Sequence, residues 1–403
     1  PISGTAKKCY QRAYSGSWTP TNTGTALNSD GFFFARVEVC NSSSGELTDS
    51  RDYGLCTKYP SGKYKPTGVI QKYSDQLRLA AFGYLMDQTA SYNTGGRYGG
   101  VLRAPMKYLG FSTYDVTGQN NTPTGGNPNA ERNITTGVFN ANPDNNATTA
   151  TGTVGQPGGA STYLSGVINY VNQFGRTGPV AGRYKKYDPV GELHYEALRY
   201  LQGLDPSSAA ISGLTDALYD GYPVSTTWTD PYADRPSTND YSCLKSNIVV
   251  IGDINTHDGN RLPTADAANN IPDISAWREI VKKFEKKTAG TYIDGQGATQ
   301  DIANPNTANN SVPSATGTSQ IMGSAYWAHT HDIRGTGWTN ATGKQRPGLR
   351  VKTFTFDVNE YNAQANATTR RTANQFFMAS KYGGFETDAS SAEHNVVDGK
   401  TTK

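Results

Sequence analysis

The sequence predicts an α/β fold in which helices flank a mostly parallel sheet and long polar loops are inserted between the core elements. Three observations lead to this prediction. A continuous apolar run, SNIVVIGD, ends in a turn. Several segments carry apolar residues at spacings of three and four, which is the period of a helix. Strand-like and helix-like segments alternate in the second half of the chain, as they do in α/β domains.

The composition indicates a polar but weakly charged surface on a chain of 403 residues, long enough to bury a core without depending on disulfides. Hydrophobic residues make up 35% and charged residues 18%, and the net charge is +3. No block of Lys and Arg is present, so we expect no nucleic-acid partner. No run approaches the ~20 apolar residues of a membrane helix, so we expect no membrane span. The start at Pro1 lacks a signal-peptide pattern, and we interpret the chain as either processed during export or an excised fragment.

Residues 1–66 are predicted to form an N-terminal β extension that contains a disulfide. The strand candidate is FFFARVEVC, which ends at Cys40. Cys40 and Cys56 flank a polar segment that is predicted to be a loop between two strands, so we pair them. The pairing of Cys9 with Cys243 follows only by subtraction. An even number of cysteines in a chain rich in Thr, Asn and Gly favours an oxidising compartment.

Residues 67–111 are predicted to form a helix and a strand. Apolar residues recur at helical spacing from Val69 to Tyr84, and we expect this helix to run into a strand at Phe82 to Leu85. Residues 112–161 are dominated by Asn, Thr, Gly and Pro. Such a segment buries too little apolar surface to offset its ordering entropy, so we predict a long surface insertion.

Two helices are predicted after this insertion. Tyr163 to Phe174 carries apolar residues on one helical face, and the segment DPVGELHYEALRYLQGL repeats the pattern. A second polar insertion, residues 205–241, is rich in Pro, Tyr, Thr and Asp.

Residues 242–403 are predicted to hold the C-terminal half of the α/β core. SNIVVIGD is typical of a strand buried on both faces of a parallel sheet. Asp273 is the predicted N-cap of the helix ISAWREIVKKFEKK. A polar insertion from Thr291 to Pro313 precedes a helix from Thr318 to His329, the strand LRVKTFTFDVNE and the short helix NQFFMASKYGG. We therefore interpret residues 1–403 as a single domain.

A set of segments occurs in a fixed order from Phe34 to Phe385. They are FARVEVC, GLCTKYPSGKYKPTGVIQKYSDQLRLAAFGYLMD, GGVLRAPMKYLG, GELHYEALRYLQGL, CLKSNIVVIGDINTHDGNRLP, AYWAHTHDIRG, VKTFTFDVNE and MASKYGGF. Together they resemble the type IV pilus tip-associated adhesin and biogenesis family of the PilC/PilY type, whose N-terminal region resembles a von Willebrand factor A (vWA) domain.

The resemblance implies a vWA-like, mostly parallel sheet flanked by helices, with long polar loop insertions and β additions. It implies a non-enzymatic, extracellular component at the pilus tip, exported through the periplasm. Its expected partners are minor pilins, on which it docks to promote pilus assembly, and a host or abiotic surface ligand to which it adheres. The alternative is a factor that primarily primes pilus assembly. The family's C-terminal β-propeller has no counterpart in this sequence, which predicts a fragment or a shortened member.

A polar cluster, GDINTHDG, follows the apolar strand and is a candidate metal site. Asp253, Asn255 and Asp258 supply oxygen ligands at the carboxyl end of a predicted parallel strand, where α/β sheets place ligands. The resemblance implies a metal-site aspartate at Asp253, and such a site prefers Ca²⁺ or Mg²⁺. The D-x-S-x-S triplet that supplies the co-ligands in vWA domains is absent from the sequence. The alternative is that Asp253 and Asn255 cap the turn and the following helix.

Two constellations argue for an enzyme. His329, His331 and Asp332 have the H-x-H spacing of zinc hydrolases, although a catalytic site needs further ligands and the segment is also typical of a helix end. Glu192 and Glu196 lie one helical turn apart, but Glu196 with Arg199 or Tyr200 fits an ordinary solvent-side pattern, and Glu192 suits the favourable first turn of the helix. No nucleophile elbow, P-loop or dinucleotide glycine motif is present. We therefore expect no enzyme activity and no cofactor beyond a possible Ca²⁺ or Mg²⁺.

Aromatic residues in the second polar insertion form a candidate recognition loop. Tyr219, Tyr222, Trp228 and Tyr232 lie in YDGYPVSTTWTDPYADRP. Tyrosines in polar loops offer adaptable contact surface at low entropy cost. The alternative is a loop that covers the sheet.

Overall fold

The computed structural model describes residues 10–12, 18–20, 40, 56–87, 97–114, 123–152, 154–155, 161–174, 188–237, 239–254, 258, 261–285, 291–293, 299–301, 319–358, 374–385, 396–397 and 400–401. Its strands are β1 Tyr10–Arg12, β2 Trp18–Pro20, β3 Cys56–Lys58, β4 Tyr64–Pro66, β5 Arg78–Gly83, β6 Val101–Tyr108, β7 Ser112–Tyr114, β8 Pro123–Gly126, β9 Val154–Gly155, β10 Ser161–Thr162, β11 Ser246–Gly252, β12 Thr291–Ile293, β13 Thr299–Asp301, β14 Val351–Asp357, β15 Val396–Val397 and β16 Lys400–Thr401. Its α-helices are α1 Val69–Lys72, α2 Val167–Gln173, α3 Val190–Leu201, α4 Ser208–Ile211, α5 Asp216–Tyr219, α6 Ile274–Glu285, α7 Gln320–Thr330 and α8 Gln375–Gly383. Three short 3₁₀ turns lie at Thr149–Thr151, Ala267–Asn269 and Thr342–Lys344.

A parallel pair of strands, β11 and β14, forms the centre of the fold. The pair runs in register from Ser246 opposite Val351 to Gly252 opposite Asp357. Parallel strands need a crossover between them, and α6 and α7 lie in that connection. The predicted α/β alternation of the C-terminal half is therefore confirmed. The predicted mostly parallel sheet is not found in the described residues, where every other pairing is antiparallel and each sheet has two strands.

Helices cover one face of this parallel pair. Val250 from β11 packs in a cluster with Ile321 and Met322 of α7 and Phe376 of α8. The start of α3 joins the same cluster through Val190. The predicted helices therefore build one apolar layer, and α6 lies outside α7 and contacts it.

The opposite face of the pair is exposed in the part of the chain that the structure describes. It presents the large apolar side chains Val249 (65% exposed), Ile251 (69%), Phe354 (45%), Phe356 (65%) and Val358 (54%). The prediction of a strand buried on both faces is therefore wrong for these residues, because the described helices form a layer on one side only. An apolar run predicts a strand but does not say what covers each face. Contiguous apolar surface of this kind marks interaction sites in soluble proteins.

The predicted long helix after Val69 is wrong beyond its first turn. α1 ends at Lys72, and the chain then forms β5, which pairs antiparallel with β6. Ala81 of β5 and Ala104 of β6 are buried in a cluster with Val167 of α2. Pairing with β6 and burial under α2 outweigh the local helical pattern.

Five other predicted helices are confirmed. α2 begins at Val167, later than predicted, and its Val171 and Phe174 flank is exposed. α6 is capped by Asp273, whose Oδ1 accepts the N–H of Ala276 at 2.9 Å. α3, α7 and α8 coincide with their predicted segments.

The first polar insertion is anchored at several points in its described part, residues 123–152. Glu131 is buried, and its carboxylate accepts the N–H groups of Val167 and Ile168 at the start of α2, both at 2.6 Å. Asn142 closes a turn through hydrogen bonds to the backbone of Ala147. Polar side chains therefore supply much of the order that apolar burial does not.

The predicted disulfide between Cys40 and Cys56 is present. It ties Cys40 to the start of β3; the rest of the predicted strand from Phe32 lies outside the described residues. Cys243 is a free, exposed cysteine in the structure. Cys9 lies outside the described residues, so the pairing of Cys9 with Cys243 is not found in the structure and stays a prediction.

Among the residues that the structure describes, no helix combines the length and the apolar content that a membrane crossing requires. The assignment of residues 1–403 to a single domain stays a prediction.

Candidate functional site

An open groove lies at the amino ends of β11 and β14. It encloses about 640 Å³ and is lined by side chains from residues 242–247, 326–331 and 348–352, together with Trp277 and Phe385. We call it the amino-end groove. It lies at the opposite end of the strands from the predicted Asp253 cluster. The sequence does not indicate this groove, because its lining residues come from segments that lie far apart in the chain.

Aromatic rings form one side of the amino-end groove. Trp277 of α6 packs against Tyr326 of α7 and against the His331 ring, with centroid distances of 5.8 and 4.5 Å. The His329 ring contacts Phe385 edge-on at 4.3 Å. The two histidines that suggested zinc are therefore each in contact with a different aromatic ring. Asp332 accepts the N–H of Gly348 at 2.9 Å.

Cationic side chains form the rim of the amino-end groove. Lys245, Arg350 and Lys352 line it, and its described lining contains no carboxylate. Arg350 donates to Asp332 at 3.3 Å, and this exposed pair neutralises part of the charge. Burial, together with the nearby Arg350 charge, lowers the pKa of His331, so its imidazole is neutral at pH 7. Aromatic rings, hydroxyl and amide groups and cationic side chains suit a ligand with carboxylates and a flat or apolar face.

The predicted metal residues lie at the carboxyl end of β11. Asp258 is fully buried, and its Oδ1 accepts the N–H of Gly191 at 2.6 Å, so it caps the start of α3. Asp253 is half-buried just after β11, and Asn255 lies outside the described residues. Among the described residues, no group of three acidic, His or Cys side chains is arranged to hold a metal. Asp258 therefore caps a helix, a role that the sequence alternative gives to Asp253 and Asn255 instead. Metal binding at this edge stays a prediction.

Glu192 lies in the first turn of α3, as predicted, and its side chain is fully buried. Its carboxylate accepts two hydrogen bonds from Arg261, both at 2.9 Å, and the N–H of Gly99 at 2.8 Å. This bidentate pair joins α3 to the loop after β11 and to the start of β6. Sequence reasoning missed Arg261 because 69 residues separate it from its partner.

Glu196 is also fully buried, so its predicted solvent-facing position is wrong. Burial raises the pKa of the Glu196 carboxyl to about 7, against the stabilising charge of Arg199. Its Oε2 accepts the N–H of Ser207 at 3.1 Å. α3 is enclosed by β6, β11 and α7 rather than lying on the surface, and that enclosure buries its polar face.

His194, between the two glutamates, bridges two elements of the core. Its Nδ1 lies 2.9 Å from Ser324 Oγ of α7, and its Nε2 lies 3.0 Å from Thr353 Oγ1 of β14. Burial lowers the pKa of His194 to about 4. The neutral imidazole donates from one nitrogen and accepts at the other. All three side chains are closed off from solvent, so the arrangement fits a structural bridge.

Two comparisons show which known proteins this chain is similar to. The sequence model of a family described as "PilY1 homolog, second domain" matches residues 82–325. A type IV pilus biogenesis factor, the PilY1 homolog of Xylella fastidiosa (strain Temecula1 / ATCC 700964), is 32% identical over 373 residues. The chain belongs to the PilY1 family. That match covers 88% of this chain and 27% of the Xylella protein, so the chain spans far less than the length of its relative.

No solved structure matches this PilY1-family chain. The α/β character of the fold is shown by its parallel pair and helices, whereas the vWA-like classification stays a prediction.

The candidate recognition loop of this PilY1-family chain is partly a structural element. Tyr222 and Tyr232 are 1% and 4% exposed, and their hydroxyls bond to Asn169 O and Ser246 Oγ. Trp228 packs against the rings of Phe82 and Tyr200. The alternative of a covering loop therefore applies to these aromatic residues, because their rings fill the space beside β5 and α3.

Proposed function

We propose that this chain works in type IV pilus biogenesis as a non-enzymatic binding module at the pilus tip. It is extracellular, reaches the surface through the periplasm, adheres to a surface ligand and docks on minor pilins to promote assembly. The family and the Xylella relative, a type IV pilus biogenesis factor by name, support the pilus setting.

The amino-end groove is the observation that carries the adhesive part of the proposal. It is open and aromatic, it is rimmed by Lys245, Arg350 and Lys352, and its described lining holds no carboxylate. These properties suit an acidic ligand that presents a ring or an apolar face to Trp277. Glycans that carry uronic or sialic acids have that chemistry.

The environment of the acid–base candidates supports a binding role. Glu192, His194 and Glu196 are at most 1% exposed, and each is engaged by partners within the core. A catalytic group has to reach its substrate. His329 contacts the ring of Phe385 and His331 contacts the ring of Trp277, so each imidazole has its own aromatic partner.

The experiment uses charge reversal in the natural full-length protein. Lys245→Glu combined with Arg350→Glu reverses the groove rim. The matched control, Lys58→Glu combined with Lys63→Glu, makes the same change of charge on the exposed β3–β4 hairpin. A strain that lacks the gene is complemented with each variant, and surface pili and attached cells are counted.

Normal numbers of pili with a loss of attachment, seen in the groove variant and not in the control, are the expected result. Loss of pili in the groove variant would favour the second candidate, a factor that primarily primes assembly. Normal pili and normal attachment in the groove variant would overturn the adhesive role of the groove. A deletion strain with normal pili and normal attachment would overturn the proposal as a whole.

A further inference from the structure

A buried cluster of three charged side chains joins the first polar insertion to the sheet. Lys107, near the end of β6, places its Nζ in direct contact with Asp144 Oδ1. The same Nζ lies 3.2 Å from Glu131 Oε1. The exposed fractions of the three side chains are 12%, 7% and 1% for Lys107, Asp144 and Glu131. An amine, a carboxyl carbon and a second carboxylate are therefore held together away from water.

The two carboxylates of this cluster differ in how many of their oxygens accept hydrogen bonds. Both oxygens of Glu131 accept backbone N–H groups from the start of α2. Asp144 Oδ2, in contrast, is buried and has no hydrogen-bond partner. A buried ionised carboxylate with one unmatched oxygen is costly, because the oxygen has lost water and gained nothing. The cluster also buries two negative charges with one positive charge.

We propose that Lys107 and Asp144 become joined by an amide bond between Nζ and Cγ. Loss of one carboxyl oxygen as water removes the unmatched oxygen of Asp144. It also removes the buried charges of the Lys107 ammonium and the Asp144 carboxylate, whereas a persistent ion pair keeps both charges buried. Glu131 keeps its two backbone hydrogen bonds in the product and is the group that moves the proton.

The chemistry balances without any further reactant. Glu131 takes a proton from the Lys107 ammonium and passes it to the Asp144 carboxylate, and the neutral amine then attacks Cγ of the resulting carboxylic acid. One C–N bond forms and one C–O bond breaks. The nitrogen gives up a second proton, which Glu131 transfers to the departing hydroxyl, so that the oxygen leaves as water. Burial raises the pKa of the Glu131 carboxyl against the effect of the Lys107 charge, which suits a group that holds this proton.

Proximity lowers the barrier to this bond, which forms slowly between free groups in water. Effective concentrations of well-oriented intramolecular reactions reach ~10⁵–10⁸ M. The fold fixes all three groups: Lys107 by β6, Glu131 by α2, and Asp144 by a hydrogen bond from its own N–H to Ser165 Oγ at 3.0 Å. The bond would fasten to the sheet an insertion whose composition provides little apolar burial. The inference concerns the covalent structure and does not depend on which surface binds a partner.

The test is the mass of the purified, folded protein and of its peptides after denaturation and proteolysis. The expected intact mass, after allowance for the disulfide, is lower than the sequence mass by one water molecule. Peptides containing Lys107 and Asp144 are expected to be recovered linked in most molecules. An intact protein of full mass, or one lighter by a water whose linkage lies elsewhere, would overturn the proposal.

Two variants test whether the amide joins Lys107 to Asp144. Lys107→Arg retains the charge but cannot form the amide, so its full sequence mass is expected. Asp144→Asn is expected to end at the wild-type product, because ammonia then leaves in place of water and the same amide forms. An Asp144→Asn protein that keeps its side-chain amide while the wild type is linked would contradict the proposed attack on Cγ.

The chain supplies a matched internal control. Lys282 and Glu279 form an ion pair at 2.9 Å on α6, where the Glu279 side chain is 45% exposed. Their peptides are expected to be unlinked in the same digest, because water solvates the Glu279 carboxylate and no buried carboxylate serves the pair. Equal linkage at this surface pair would show an artefact of handling and would overturn the assignment to the buried site.

Discussion

Replacing His194 with Gln should remove a pH-dependent part of the stability. His194 is buried between Ser324 and Thr353, and burial lowers its pKa to about 4 from an ordinary 6.5. Between these values the unfolded chain binds a proton that the folded chain does not, so acid favours unfolding. The depression of about 2.5 pKa units corresponds to about 3 kcal/mol at full effect. Stability from this group is therefore present above pH 6.5 and is lost as the pH falls to 4.

The assay is urea unfolding followed by tryptophan fluorescence at several pH values, for the wild type and His194→Gln. The variant carries a constant penalty from lost contacts, so the informative quantity is the difference in unfolding free energy as a function of pH. That difference should grow by about 3 kcal/mol in favour of the wild type from pH 4 to pH 6.5. A difference that does not change with pH would refute the buried, neutral histidine.

Glu196→Gln provides a control of opposite sign on the same helix. Burial raises the pKa of Glu196 to about 7 from 4.5, so its contribution is fully present below pH 4.5 and is lost as the pH rises through 7. The wild type should therefore lose stability relative to Glu196→Gln by up to about 3 kcal/mol over that window. In the wild type, His194 and Glu196 change the unfolding free energy with pH in opposite directions. A nearly constant unfolding free energy is therefore expected from about pH 4.5 to 6.5.

The same unfolding measurement tests three further points. Arg261→Met leaves a buried carboxylate of α3 without its cation and should cost roughly 3–5 kcal/mol; a cost below about 1 kcal/mol would mean that the pair is solvated. Reduction of the Cys40–Cys56 disulfide, with a sequence separation of 16, should cost about 3 kcal/mol, and an unchanged midpoint in reductant would contradict a closed loop. Val250→Ala should cost about 2 kcal/mol, whereas Val249→Ala on the exposed face should cost less than about 0.5 kcal/mol; equal costs would show that both faces are covered.

Local signals explain which parts of the fold could be predicted. α6 was predicted with its cap because Asp273 precedes an apolar helical period, and the capping hydrogen bond is present. β11 and β14 were predicted as strands because each is a short run of β-branched and aromatic residues. These signals act over a few residues, so the sequence displays them directly.

Errors arose where a distant partner decides the structure. The helical period after Val69 gives way to β5 because β6 supplies backbone hydrogen bonds and α2 covers Ala81. Glu196 is predicted to face solvent because nothing near it in sequence indicates the enclosure of α3. Exposure of Val249 beside a buried Val250 likewise depends on where helices pack, which an apolar run does not encode.

The candidate site was predictable in its residue types more than in its place. The spacing of His329 and His331 suggests zinc chemistry, and the structure places both in the amino-end groove, each against an aromatic ring. Trp277 and Arg350 come from other segments and meet them only in the folded chain. The Lys107, Glu131 and Asp144 cluster had no motif at all, since its members lie on a strand and on two points of a polar loop.

The location of the protein tests the central claim most directly. Antibodies against this chain, labelled with gold, can be imaged by electron microscopy on cells that produce type IV pili, with a deletion strain as the blank. The account predicts gold at pilus tips. Gold confined to the cell interior, or spread along the length of the pili with none concentrated at the tips, would contradict a tip-located binding module.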